Sequence, residues 1–332
     1  MKKGSSGASL RVRAVGLALL VAISVVLFEV ACQVWAVVSI FPELERIRTH
    51  ALHPYEASEN PRLAYQLQAG SALEVDGRWL RVNRYSLRED SDDLAPNRRR
   101  IGLIGDSVLF GIEHDQDQTI SVQVQRSLDQ AGEDARVFNA GVPGYGLAEI
   151  AENLRVVDDV YDFSDIVYLL NLNDFSRRDS IYEGADNGLY RTYQAPVLMS
   201  PWFIGKVIYR YQKGGHLYGD DGWYRWLFEG NEEWGYRQLD DMIEESRSRG
   251  ARFSVVLLPA GIAYIDEEYV LADVHADIQR YLAARGVPVL SPVEDFRGES
   301  GELIDESDHM YQPGLELMGR LIAEFIMKTD RG

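Results

Sequence analysis

The chain has 332 residues, 46% hydrophobic and 26% charged, enough to bury a sizeable core in one or two domains. Its formal charge of −18 argues against nucleic acid as a partner, because binding to phosphate needs clustered Lys and Arg. The single cysteine, Cys32, excludes an intrachain disulfide and any cysteine-based metal site.

The first segment carries Lys2, Lys3, Arg11 and Arg13 without an acid, followed by the uncharged run Ala14–Phe28. Beyond Glu29 the apolar character continues to Phe41, longer than the roughly 20 residues a helix needs to cross a bilayer. Residues 1–41 therefore read as a cytoplasmic flank and a signal anchor. The positive flank predicts a cytoplasmic N-terminus and an extracytoplasmic, periplasmic body at the cell membrane. Two other readings stay open, a signal peptide cleaved near "VWA" (34–36) and a lipoprotein attached at Cys32. All three export the rest of the chain.

Residues 42–98 are polar and broken, and read as a stalk or an N-terminal wrap with short strands around Leu73–Asn83. From Arg99 a βα alternation begins. Apolar runs at 100–105, 135–141, 165–174, 251–259 and 287–292 alternate with helical patterns, the last being "PGLELMGRLIAEFIMK". Continuous apolar runs between helices predict buried parallel strands. The fold class is therefore α/β, a three-layer αβα sandwich on a parallel five-stranded, flavodoxin-like sheet, with an N-terminal transmembrane helix added.

Ligands of such sheets bind beyond the carboxyl ends of the strands. The first run ends at Gly105-Asp106-Ser107 and the second at "NAGVPGYG". The third ends at "NLND" (171–174), and the fifth leads to "IDESDHMYQPG", which holds His309. A hydroxyl, flexible backbone N–H groups, a carboxamide and an imidazole beside acids thus meet on one rim. These are the parts that acyl transfer needs.

In order and spacing these four blocks resemble the SGNH, or GDSL-type, hydrolase family over roughly residues 99–328. The segments "LAYQLQAG" and "NRYSLRED" before them resemble a membrane-anchored bacterial branch of it. The resemblance implies Ser107 as nucleophile and, through its N–H, first oxyanion donor. Gly141 would add a second N–H and Asn173 a side-chain donor. His309 would be the general base, with Gly314 five residues on. Asp106 would brace the turn and Asp174 the third-strand loop. Two departures stand out. Glu306 occupies the place three residues before the histidine where the family has Asp, leaving Glu306 and Asp305 both as candidate acids. Asn171 stands where the family has Gly, placed to narrow the pocket or touch substrate.

The resemblance implies an extracytoplasmic serine esterase removing O-acyl, above all O-acetyl, groups from a polysaccharide or glycolipid, with no cofactor and no metal. Two alternatives remain. One is an O-acyltransferase working with a multi-pass membrane acyltransferase. The other is a non-catalytic carbohydrate-binding or assembly subunit. The aromatic-rich stretch 180–234 interrupts the alternation and reads as an insert in the 99–332 hydrolase domain. It would serve as a lid, bind sugar rings, pack on itself, or lay "APVLMSPWFIGKVIY" against the membrane beside the anchor.

Overall fold

The computed structural model describes residues 6–40, 54–177 (except 64, 76 and 112), 197–217 and 222–330 (except 266–267, 298–299 and 306–307). In chain order the first elements are α1 (Ser6–Trp35), β1 (Arg99–Gly105), α2 (Ser107–Phe110), α3 (Ile120–Ala131), β2 (Ala135–Gly141) and α4 (Leu147–Tyr161). Next come β3 (Asp165–Leu170), α5 (Met199–Leu217), α6 (Gly222–Ser248), β4 (Arg252–Leu257) and α7 (Ala272–Ala283). The chain closes with β5 (Val289–Leu290), α8 (Ser300–Leu303) and α9 (Gln312–Asp330).

The chain forms two compact units. One comprises Met1–His50 with Arg178–Gln212, and the other Ala51–Arg177 with Lys213–Gly332. In the first, α1 is uninterrupted by proline and its apolar side chains are exposed nearly throughout. The stretch Arg11–Ser39 is long and apolar enough to cross a membrane.

The second unit is built on a five-stranded parallel sheet of order β5-β4-β3-β1-β2. All five runs read from the sequence supply a strand, with β3 stopping at Leu170 and residues 172–175 coiling into a 3-10 turn. Alternate side chains face opposite layers, as strand geometry requires. Ile101, Leu103, Val137, Val167, Leu169 and Val256 meet α3 and α9 through Val124, Leu128, Met318 and Ile322. The opposite layer holds Phe138, Tyr161 and Phe163, whose rings pack together. A Cβ at Gly102 would stand 2.6 Å from the Phe163 ring, so only glycine lets this ring reach the sheet.

Residues 54–98 wrap this unit. Tyr65–Leu67 pairs with Tyr55–Ala57, and Ala72–Val75 with Arg78–Arg81, in short antiparallel hairpins. Tyr65 donates its hydroxyl to the Pro143 carbonyl at 2.7 Å. At the amino ends of the strands, Arg99 and Arg252 each grip Asp165 through two hydrogen bonds of 2.6–3.1 Å. The opposite, carboxyl-end rim is left for chemistry.

The aromatic stretch divides. Residues 178–196 lie outside the described residues. Trp223, Tyr224, Trp226 and Trp234 sit on α6, a 27-residue helix continuous through residue 234, with Trp223 and Tyr224 buried.

Candidate active site

Ser107 enters the rim on the sharp change of direction between β1 and α2. Asp106 caps α2, its Oδ1 accepting the Val108 N–H at 3.0 Å, and this exposes the serine as the first helical residue. The helix lasts one turn and ends at Gly111, whose φ of 71° is the left-handed conformation that glycine tolerates. Arg88 closes its C-terminus. The buried guanidinium donates to the carbonyls of Phe110 and His114, both at 2.6 Å, and to that of Gly111. Burial draws the Arg88 pKa down to about 10, which leaves the cation intact at neutral pH.

The neighbouring β2 end supports the same turn. Asn139 is fully buried and donates through Nδ2 to the Leu109 carbonyl at 3.0 Å. Its own N–H donates to Glu89 at 2.9 Å, and Glu89 also receives Arg136 at 2.6 Å. Burial pushes the Glu89 carboxyl up to about 7 against the pull of Arg136.

Asn171, Asn173 and Asp174 form a self-bonded corner after β3. Asp174 accepts the Asn171 N–H at 3.1 Å and the Tyr168 hydroxyl at 2.7 Å. Asn171 Oδ1 accepts the Asn173 N–H at 3.3 Å. Asn173 then reaches across the rim, donating through Nδ2 to Asp106 Oδ2 at 3.2 Å. The amide orientation follows from its partner, since a carboxylate accepts only.

His309 arrives on the loop between α8 and α9. The loop closes with an Ile304–Met310 bridge, and the Asp305 N–H donates to the His309 carbonyl at 2.9 Å. In return the His309 N–H donates to Asp305 Oδ1 at 2.9 Å. Beneath the histidine, Asp308 is buried with φ 68°. It accepts the Gly261 N–H at 2.8 Å, the Asn171 amide at 3.4 Å and the Tyr224 hydroxyl. Burial, partly offset by these donors, pushes its carboxyl up to about 7. His309 thereby sets Nε2 at 3.4 Å from Ser107 Oγ. Its Nδ1 faces Glu113 Oε1 at 3.6 Å. His114 ties this loop to the serine side, its Nε2 lying 2.8 Å from the Met310 carbonyl. The carbonyl requires the Nε2–H tautomer.

Ser107, His309, Asp106, Asn173 and Asp305 thus share the rim. Glu306 lies outside the described residues. Gly141 must be corrected as an oxyanion donor. It is buried and spends its N–H on Asn139 Oδ1 at 3.0 Å. Its glycine identity has another cause, since a Cβ there would stand 2.5 Å from the Phe110 nitrogen. Asn171 is likewise internal, bracing Asn173 and Asp308 from a position that is 2% exposed, and it does not face a pocket. His114, in the loop after α2, is half-buried and bonded.

Sequence reasoning missed Glu113, Tyr224 and the grip of Arg88. Gly111, the left-handed first residue of the charged loop 111–119, is a local signal that the chain changes direction after α2. Gly144, in the "NAGVPGYG" block at the end of the second run, is half-exposed at φ 82° in the turn closed by the Tyr145 N–H on the Val142 carbonyl.

Among the described residues, Glu113, Asp305 and His309 bring donor atoms within 4.8 Å of one another, close enough for a metal ion. Two of the three are carboxylates beside a histidine whose Nδ1 faces Glu113 and whose Nε2 faces Ser107.

No family model matches the chain, and no curated protein matches it. Among solved structures it is similar to the psychrotrophic esterase EstA from Pseudoalteromonas sp., at 14% identity and TM-score 0.44, over 70% of this chain and 100% of that one. It is similar to the lipase/acylhydrolase from Enterococcus faecalis at 19% identity and TM-score 0.44, over 70% and 96% of the two chains. It is also similar to the acetyl xylan esterase AlAXEase at 12% identity and TM-score 0.44, over 69% and 98%. By its four sequence blocks this chain resembles the SGNH, or GDSL-type, hydrolases.

Proposed function

We propose that the protein is a membrane-anchored, extracytoplasmic serine esterase that removes O-acyl groups, acetyl above all, from a polysaccharide or glycolipid. The observation that carries the reading is the 3.4 Å approach of His309 Nε2 to Ser107 Oγ at the carboxyl-end rim of a parallel sheet. Such a contact shortens when substrate excludes water.

Ser107 Oγ attacks the ester carbonyl carbon and passes its proton to His309 Nε2. The tetrahedral oxyanion rests on the Ser107 N–H, at the start of α2, and on an Asn173 amide hydrogen. In this reading the backbone N–H of Gly144, in the turn closed by Tyr145 on Val142, takes the oxyanion role first given to Gly141. His309 then protonates the leaving sugar hydroxyl as the C–O bond breaks, and Ser107 keeps the acyl group. Water, deprotonated by His309, cleaves the acyl-enzyme and releases the free acid. Asp305 and Glu113 steady the imidazolium that forms twice in this cycle.

The test uses the full chain in detergent micelles with p-nitrophenyl acetate, followed by acetate release from an O-acetylated polysaccharide. Ser107→Ala and His309→Ala should each lower kcat by about 10⁴-fold or more. Turnover retained in Ser107→Ala would overturn the mechanism. Turnover of the small ester without acetate release from polysaccharide would leave the esterase and remove the substrate class.

A further inference from the structure

Within the first unit, the apolar helix α1 carries an acid, Glu29, that is fully engaged. One carboxylate oxygen accepts the Met199 N–H at 2.8 Å and the other the Ser200 N–H at 2.9 Å. These are the first two residues of α5, so Glu29 caps a second helix with a full negative charge where the helix dipole favours one. Gln33, one turn further along α1, donates to Glu29 at 2.7 Å and to the Val197 carbonyl at 3.0 Å. Around this polar joint Cys32, Ala36 and Met199 are buried together. Trp35 stacks on Trp202 at 5.7 Å, and Phe203 meets Trp35 and Phe28 edge-on.

The face of α5 turned away from α1 is apolar as well. Ile204, Ile208 and Tyr211 recur at helical spacing and are exposed, as are Val207 and, just before the helix, Val197 and Leu198. Over Met199–Ile208 the helix thus carries apolar side chains both towards α1 and away from it, a pattern suited to lipid rather than water. Its depth follows from α1. From Arg13 to Glu29 is about 24 Å at 1.5 Å per residue, which approaches the roughly 30 Å of a hydrocarbon core. Glu29 therefore stands near the boundary at the C-terminal end of the span, where the Trp35–Trp202 pair matches the aromatic belt of membrane proteins. Lys206, 5.0 Å from the Trp202 ring, has its charge within reach of headgroups.

We propose that α5 is a second membrane element, an interfacial helix seated in the same bilayer that α1 crosses and locked to α1 by Glu29. The proposal rests on α1 spanning the membrane, and the experiment separates the two. The full chain, with Cys32→Ser, is reconstituted in phosphatidylcholine–phosphatidylglycerol vesicles and spin-labelled at a single new cysteine. The sites are Ile208→Cys on α5, Val21→Cys in mid-α1 and Val156→Cys on α4, the last a water reference. Collisions with oxygen are compared with collisions with a water-soluble nickel chelate.

The Ile208 and Val21 labels should favour oxygen and the Val156 label nickel. A label at Ile208 as open to nickel as that at Val156, with Val21 in lipid, would overturn the proposal and leave the anchor. A nickel-accessible Val21 would overturn both. Glu29→Ala should raise nickel access at Ile208 by roughly tenfold or more, the shift expected from losing two charge-assisted hydrogen bonds. Unchanged access would overturn the lock.

Discussion

The turn that carries Ser107 and the loop that carries His309 are held in opposite ways. The serine side is a rigid socket. Arg88 fills three carbonyls at the end of α2, Asn139 ties its middle and Asp106 caps its start. The histidine side is a short loop secured mainly from below, by one buried carboxylate in a left-handed conformation. A nucleophile presented on a strand end needs only scaffold stiffness. In the proposed mechanism His309 must keep its ring aligned while its charge changes, and the loop that carries it is held by Asp308, whose carboxyl burial pushes up to about 7.

Substitutions on the serine side should therefore cost mainly stability. Arg88→Ala removes a buried cation from the carbonyls of Phe110, Gly111 and His114, of which Gly111 keeps the His114 N–H, and should destabilise by about 3–5 kcal/mol in thermal melts. Arg88→Lys should recover less than half of that, because an ammonium lacks the planar fork. An unchanged Tm in Arg88→Ala would remove the socket from the comparison. Gly141→Ala forces a Cβ against the Phe110 nitrogen and should cost about 2–3 kcal/mol.

On the histidine side the expected losses are catalytic. Asp308→Asn should lower kcat about 10–100-fold with a small change in KM, as the loop under His309 loosens. It should also alter the pH dependence of stability. The Asp308 carboxyl moves from its ordinary 3.8 up to about 7 on folding, through burial. Between these values the native protein holds a proton that the unfolded chain has released. The contribution of this group is thus fully present below pH 3.8 and is lost as pH rises to about 7. Melting curves of Asp308→Asn should lack that part of the decline, while the similar slope from Glu89 remains.

Asp305 and Glu113 give the smallest effects and sharpen the assignment between them. Asp305→Asn should reduce kcat about tenfold, because Asp305 also holds the His309 backbone. Glu113→Gln, altering an exposed carboxylate at 3.6 Å, should reduce it about two- to fivefold, less at high salt. The reverse ranking would make Glu113 the principal orienting acid.

The sequence by itself determined the sheet, because buried parallel strands demand unbroken apolar runs and the helices between them demand a 3.6-residue period. It also determined that Ser107, Asn173 and His309 belong to strand-end loops, and that residues 14–41 form a long apolar segment. Those signals are local. Only the tertiary structure decided which of these groups meet. By sequence Gly141 reads as a donor, but Asn139 occupies its N–H; Asn171 reads as a pocket residue, but its amide goes to Asp308. Glu113 reaches His309 across 196 residues of chain, and Glu29 meets Met199 across 170. A side chain's partner depends on distances set by packing, and no pattern along the chain encodes contacts of that separation.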